Sequence, residues 1–86
     1  MKQLIVIPCY NTHIYINKLI SDLYKKTSTD ILVIDDGSSP KISFEKDKLT
    51  NLKIIRNDIN KGKGYALKKG FLYAKENNYT HVITLD

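Results

Sequence analysis

Ile31-Leu32-Val33-Ile34 runs straight into Asp35-Asp36 and then Gly37-Ser38-Ser39. A short, continuous apolar run with β-branched residues is the pattern of a strand buried on both faces, as in a parallel sheet. Gly37 and the serines then turn the chain out of the sheet, which leaves two carboxylates at the strand's carboxyl end. Open α/β sheets bind ligands outside the carboxyl ends of their strands. Asp35 and Asp36 therefore lie where a ligand is expected, although a strand followed by a solvated acidic turn reads the same way on this stretch alone.

The rest of the chain alternates around that run. Lys2 to Ile7 is expected to be a first strand, closed by Pro8, which cannot donate to a ladder. Pro8-Cys9-Tyr10-Asn11 then forms a loop, and Asn11 or Thr12 is placed to cap a helix over about 13–26. Ile16, Leu19, Ile20, Leu23 and Tyr24 recur there at helical spacing, with Lys25 and Lys26 at the negative end of the helix dipole. Ser43 to Leu49 reads as a short helix and Leu52 to Arg56 as a third strand. Asn57 to Gly64 is rich in turn residues. Leu67, Gly70, Phe71 and Ala74 mark a second amphipathic helix, ended near Asn77-Asn78, where asparagine tolerates the left-handed conformation. Thr80 to Leu85 is a fourth strand. Such alternation specifies an α/β fold, a parallel sheet of about four strands flanked by helices. The chain stops at Asp86, where a strand would deliver a carboxylate to the ligand-binding edge, so residues 1–86 are expected to be part of a longer domain.

Composition narrows the function classes. No apolar run reaches the roughly 20 residues of a membrane-spanning helix. The run Leu4–Pro8 is too short for a signal peptide, so a cytoplasmic location is expected. Cys9 is the single cysteine and has no disulfide or metal-ligand companion. His13 and His81 show no metal-ligand spacing and read as surface or packing residues. The net charge is +5, but the lysines are interspersed with acids along the helices rather than massed. Solvated helix faces account for them better than a nucleic-acid surface does.

Three loops converge on the carboxyl edge of the expected sheet, and they carry groups suited to a nucleotide diphosphate. Tyr10 offers a ring for stacking on a base, and Asp36 an acceptor for base N–H or ribose hydroxyl groups. Asp86 is an oxygen ligand of the kind that Mg²⁺ or Mn²⁺ takes. Gly62, Lys63 and Gly64 open a helix N-terminus with close backbone approach and positive charge, which favours phosphate. Neither a Walker P-loop nor a Rossmann G-x-G-x-x-G is present.

These elements, in this order, resemble the amino-terminal part of family 2 glycosyltransferases. The matching stretches are Ile5-Val6-Ile7-Pro8-Cys9-Tyr10-Asn11, Val33-Ile34-Asp35-Asp36-Gly37-Ser38-Ser39, Asn60-Lys61-Gly62-Lys63-Gly64-Tyr65-Ala66-Leu67 with Gly70, and Tyr79-Thr80-His81-Val82-Ile83-Thr84-Leu85-Asp86. Within the family the chain looks most like the polyprenol-phosphate hexosyltransferases of the dolichol-phosphate mannose synthase type. That subgroup often has a glutamate two residues after the tyrosine, where this chain has Thr12.

The resemblance implies the nucleotide-binding half of a GT-A (Rossmann-like) fold. It implies that Pro8, Tyr10, Ile34 and Asp36 contact the nucleoside of a UDP- or GDP-sugar, with Asp36 reading the base. It also implies that Asp86 is the first aspartate of a D-x-D metal motif. The parent enzyme would transfer a hexose to a polyprenol phosphate or glycan, in association with a membrane in some members. The catalytic base and acceptor site would lie outside these residues, leaving this piece inactive by itself. A sugar-phosphate nucleotidyltransferase is the competing enzyme reading, against which stands Pro8-Cys9-Tyr10-Asn11 in place of that class's glycine-rich loop. A non-catalytic nucleotide-binding or interaction module, oligomeric through an exposed sheet edge, is the third. On the donor-site reading, Asp36→Ala is expected to weaken nucleotide binding with little loss of stability.

Overall fold

The computed structural model describes residues 1–44 and 50–85. In chain order the elements are β1 (Gln3–Cys9), α1 (His13–Lys26), β2 (Asp30–Asp36), β3 (Leu52–Asn57), α2 (Lys63–Glu76) and β4 (His81–Thr84). The strands form one sheet in the order β3-β2-β1-β4, and every neighbouring pair is parallel. The expected four-stranded parallel sheet flanked by helices is therefore present. The expected short helix over Ser43–Leu49 falls mostly on 45–49, outside the described residues; Ser43 and Phe44 carry no regular structure.

Strand alternation divides the core in two. Ile5, Ile7, Cys9, Ile31 and Val33 pack with Ile16 and Ile20 of α1 and with Ile42 on one face. Leu4, Val6, Leu32 and Ile34 pack with Ala66 and Ala74 of α2 on the other. Both central strands are apolar on both faces because each face carries a helix.

Pro8 does not close the first strand, which continues to Cys9 with Pro8 paired to Ile34. Proline is normally excluded from central strands because it lacks an N–H. Here the carbonyl of Val6 faces β4 and accepts from the N–H of Leu85 (3.1 Å), so Pro8, two residues on, also faces that side. The β1–β4 register ends at Val6↔Thr84, so among the described residues no ladder pair calls for a donor at Pro8. Thr12 occupies the N-cap position of α1 without a side-chain cap bond. The side chain of Asn11, the other expected cap, accepts the N–H of Ser39 instead (2.9 Å). The end of α2 follows expectation: Asn78 is left-handed (φ 63°), and the N–H of Tyr79 reaches back to the carbonyl of Ala74 (2.9 Å).

The fully buried stripe of α2 is Ala66, Gly70 and Ala74, with Leu67 partly buried against the same core; Phe71 is half exposed. Small residues at i, i+4, i+8 let the helix backbone come close to the strands. A Cβ at Gly70 would stand 2.5 Å from Cγ1 of the buried Val6, a branched side chain with little room to turn. Gly70→Ala is expected to destabilise the fold by about 1–3 kcal/mol, despite about 1 kcal/mol of gained helix propensity. Urea unfolding checks this, and Val6→Ala in the same chain should restore most of the loss. An unchanged midpoint in Gly70→Ala would refute the close approach.

Candidate functional site

The adjacent aspartates at the end of β2 point to opposite faces, so the chain uses them differently. Asp35 lies on the α1 side. Its Oδ1 accepts the N–H of Ser38 (3.0 Å), and its Oδ2 accepts the N–H of Ile42 (2.8 Å) and Nη1 of Arg56 (2.8 Å). Arg56 also donates to the carbonyl of Ser38 (3.0 Å). Burial works to raise the pKa of Asp35. The donors of Ile42, Ser38 and Arg56 together outweigh it and hold the carboxyl below the usual carboxylate range. Asp35 thus anchors the loop that follows β2 and does not line the pocket described below.

Asp36 lies on the α2 side and is 3% exposed. Its Oδ1 accepts Nδ2 of Asn57 (3.0 Å) and the N–H of Lys61 (2.9 Å), and its Oδ2 accepts the N–H of Gly62 (2.9 Å). The carboxylate therefore fixes the turn that enters α2, where the helix dipole favours negative charge. Three donors depend on it, so Asp36→Ala is expected to lower stability, where the sequence alone led to an expectation of little loss.

Beside Asp36 lies an open pocket of about 350 Å³, lined by Pro8, Cys9, Tyr10, Asp36, Asn60, Lys63 and Ala66. It brings together Pro8, Tyr10, Asp36 and Lys63 from three separate segments. Tyr10 is half exposed and presents its ring at the edge. Ile34 is fully buried under α2 and supports this corner from below rather than lining it. Gly62 is the N-cap of α2 with φ 95°, a left-handed conformation that favours glycine. Gly64 lies inside the first turn, where a Cβ would meet nothing within 4 Å. Lys63 and Gly64 thus begin the helix rather than precede it.

The loop after β1 and the loop after β2 are tied to each other. The N–H of Asn11 donates to Oγ of the buried Ser38 (2.9 Å), and the His13 ring donates from Nε2 to the carbonyl of Pro40 (2.6 Å). His13 is partly exposed and serves to tie the two loops together. Burial, and then the charges of Asp35 and Asp36, push the Cys9 thiol up to about 12, so it stays protonated and a poor nucleophile at neutral pH. Asp86, the expected metal ligand, lies outside the described residues. Among the described residues no group of three or more His, Cys, Asp or Glu is placed to hold a metal ion.

Arg56, Asn57 and Lys69 are residues at this edge of the sheet that the linear pattern did not single out. The signal for two of them is register. Parallel pairing of β2 with β3 sets Asp35 opposite Arg56 and Asp36 opposite Asn57, which aligning the two apolar runs end to end would have shown.

The family model for glycosyl transferase family 2 matches residues 4–86. Two uncharacterised proteins of Methanocaldococcus jannaschii are similar to this chain. One is 37% identical over 94% of this chain and 38% of its own length; the other is 33% identical over 95% of this chain and 33% of its own length. A dolichyl-phosphate beta-glucosyltransferase of Dictyostelium discoideum is 29% identical over 83% of this chain and 27% of its own length. The chain thus spans between about a quarter and two-fifths of the length of these curated relatives. No solved structure matches. With the family model covering nearly every residue, and the parallel, helix-flanked sheet in the Rossmann-like arrangement of a GT-A fold, this chain belongs to glycosyl transferase family 2.

Proposed function

We propose that this chain is the donor-nucleotide half of a hexosyltransferase that uses a UDP- or GDP-sugar. The observation that supports this most is the pocket joining Pro8, Tyr10, Asp36 and Lys63 at the carboxyl edge of the sheet. Tyr10 stacks on the base, and Asp36 Oδ2 accepts a base N–H. Each carboxylate oxygen has two lone pairs; Oδ1 already serves two donors and Oδ2 one, so one acceptor position remains. Lys63 brings positive charge to the side where a diphosphate would leave the nucleoside. Asp86 supplies one oxygen ligand to Mg²⁺ or Mn²⁺, which when bound would neutralise diphosphate charge. The name of the Dictyostelium relative favours a polyprenol phosphate as acceptor. The group that activates the acceptor is not assigned to any residue of this chain, which is expected to bind donor without transferring sugar.

Calorimetric titration of the 86-residue chain with UDP and GDP, with and without Mn²⁺, tests the reading. One nucleotide is expected to bind, and Asp36→Asn, which keeps the shape but changes an acceptor into a donor, should weaken it about tenfold or more. Asp86→Asn should remove any Mn²⁺ dependence. Failure of both nucleotides to bind, or equal affinity in Asp36→Asn, would sink the assignment.

A further inference from the structure

We infer that Asn57, held in place by Lys69, is the positioning residue that aims the remaining acceptor lone pair of Asp36 into the pocket. This rests on the donor-site reading above. Nζ of Lys69 on α2 donates to Oδ1 of Asn57 at the end of β3 (2.6 Å), and Nδ2 of Asn57 donates to Oδ1 of Asp36 at the end of β2 (3.0 Å). Asn57 is 5% exposed, so neither of its polar ends is free to exchange partners with bulk water. Its amide has one acceptable orientation. Turned over, it would set a carbonyl oxygen against a carboxylate and an NH₂ against an ammonium, unfavourable at both ends.

The consequence for Asp36 is geometric. The N–H groups of Lys61 and Gly62 approach the carboxylate from the α2 turn. Asn57 approaches from the neighbouring strand, so the three donors fix the plane of the carboxylate from two elements. Without Asn57, Oδ1 regains a lone pair and the group is free to tilt toward the turn. The open position on Oδ2 is then no longer held toward the pocket that Asp36 lines. Lys69 also polarises the Asn57 amide, which strengthens its N–H bond to Asp36 and holds the carboxylate in place. The matching ligand edge is a base that presents an N–H, such as the imide of uracil or the N1–H of guanine.

The test is titration with UDP and GDP of wild type, Asn57→Ala, Lys69→Met, Lys69→Arg and Asn57→Ala/Lys69→Met, at a temperature where unfolding scans show each chain folded. Asn57→Ala is expected to lose about tenfold in affinity for the preferred nucleotide and to narrow the ratio between UDP and GDP. Lys69→Met should weaken binding in the wild-type background but add nothing to Asn57→Ala, and Lys69→Arg, which keeps a donor, should recover most of the affinity. A role confined to folding would shift unfolding midpoints and leave affinity and base preference alone, and that result overturns the inference. If Asn57→Ala does not fold, the Lys69 pair decides: Lys69→Met and Lys69→Arg binding alike overturns it. Wild type binding neither nucleotide overturns the donor-site reading and this inference together. Wild type binding one, with loss in Asp36→Asn but none in Asn57→Ala and Lys69→Met, overturns this inference alone.

Discussion

Asp36→Ala is expected to cost about 3–5 kcal/mol, because it leaves three donors without an acceptor at about 1–3 kcal/mol each, partly relieved by water entering the open pocket. A domain of this size has total stability of only about 4–13 kcal/mol, so the substitution removes a large part of it. The urea midpoint should fall steeply, and amide protons of Lys61 and Gly62 should lose protection against exchange. A midpoint matching wild type would mean that the carboxylate does not hold the turn. The result also governs how binding data are read. Loss of nucleotide affinity in Asp36→Ala mixes a missing acceptor with a displaced loop, whereas Asp36→Asn keeps most of the contacts and isolates the acceptor.

Gly37→Ala is expected to cost about 2–4 kcal/mol, from the left-handed conformation and from overlap with backbone. Gly37 has φ 83°, and a Cβ there would stand 2.6 Å from the amide nitrogen of Asn60 and 3.0 Å from the carbonyl carbon of Ile59. Neither atom belongs to a side chain that could rotate away, so the Ile59–Asn60 segment itself must move. That segment leads directly into the two N–H groups bound by Asp36, and Asn60 lines the pocket. Thermal unfolding should therefore show a lowered midpoint, and a chain still folded at low temperature should show weakened nucleotide binding. Gly64→Ala is the control. Its Cβ meets nothing within 4 Å, and alanine is the better helix former by about 1 kcal/mol, so stability should hold or rise. Equal midpoints for the two variants would refute the close contact at Gly37.

The two substitutions bear on different aspects of the same corner, and the sequence exposed them unequally. The strand Asp30–Asp36, the helix His13–Lys26 and the left-handed Asn78 were legible because apolar spacing and asparagine's backbone tolerance are local properties. The positions of Tyr10 and Asp36 at one edge followed from element order, since parallel strands bring all their carboxyl ends together. The unequal work of Asp35 and Asp36 was not legible. Both are acids at the same strand end, and only alternation carried through into the packed sheet sends one toward Ile42 and Arg56 and the other toward the turn into α2.

By itself, then, the amino-acid order determined the alternation of strands and helices, the sheet they build and the edge at which a ligand would sit. Tertiary structure decided which small residues of α2 meet the sheet, why Pro8 is tolerated within a central strand, and which groups hold Asp36. The reason is physical. Periodicity records which face of an element is buried, but a carboxylate's partners are set by register and close approach. Asn57 reaches Asp36 from 21 residues away only because β3 lies in register beside β2, and Lys69 reaches Asn57 from α2, a helix whose Gly70 admits the side chain of Val6.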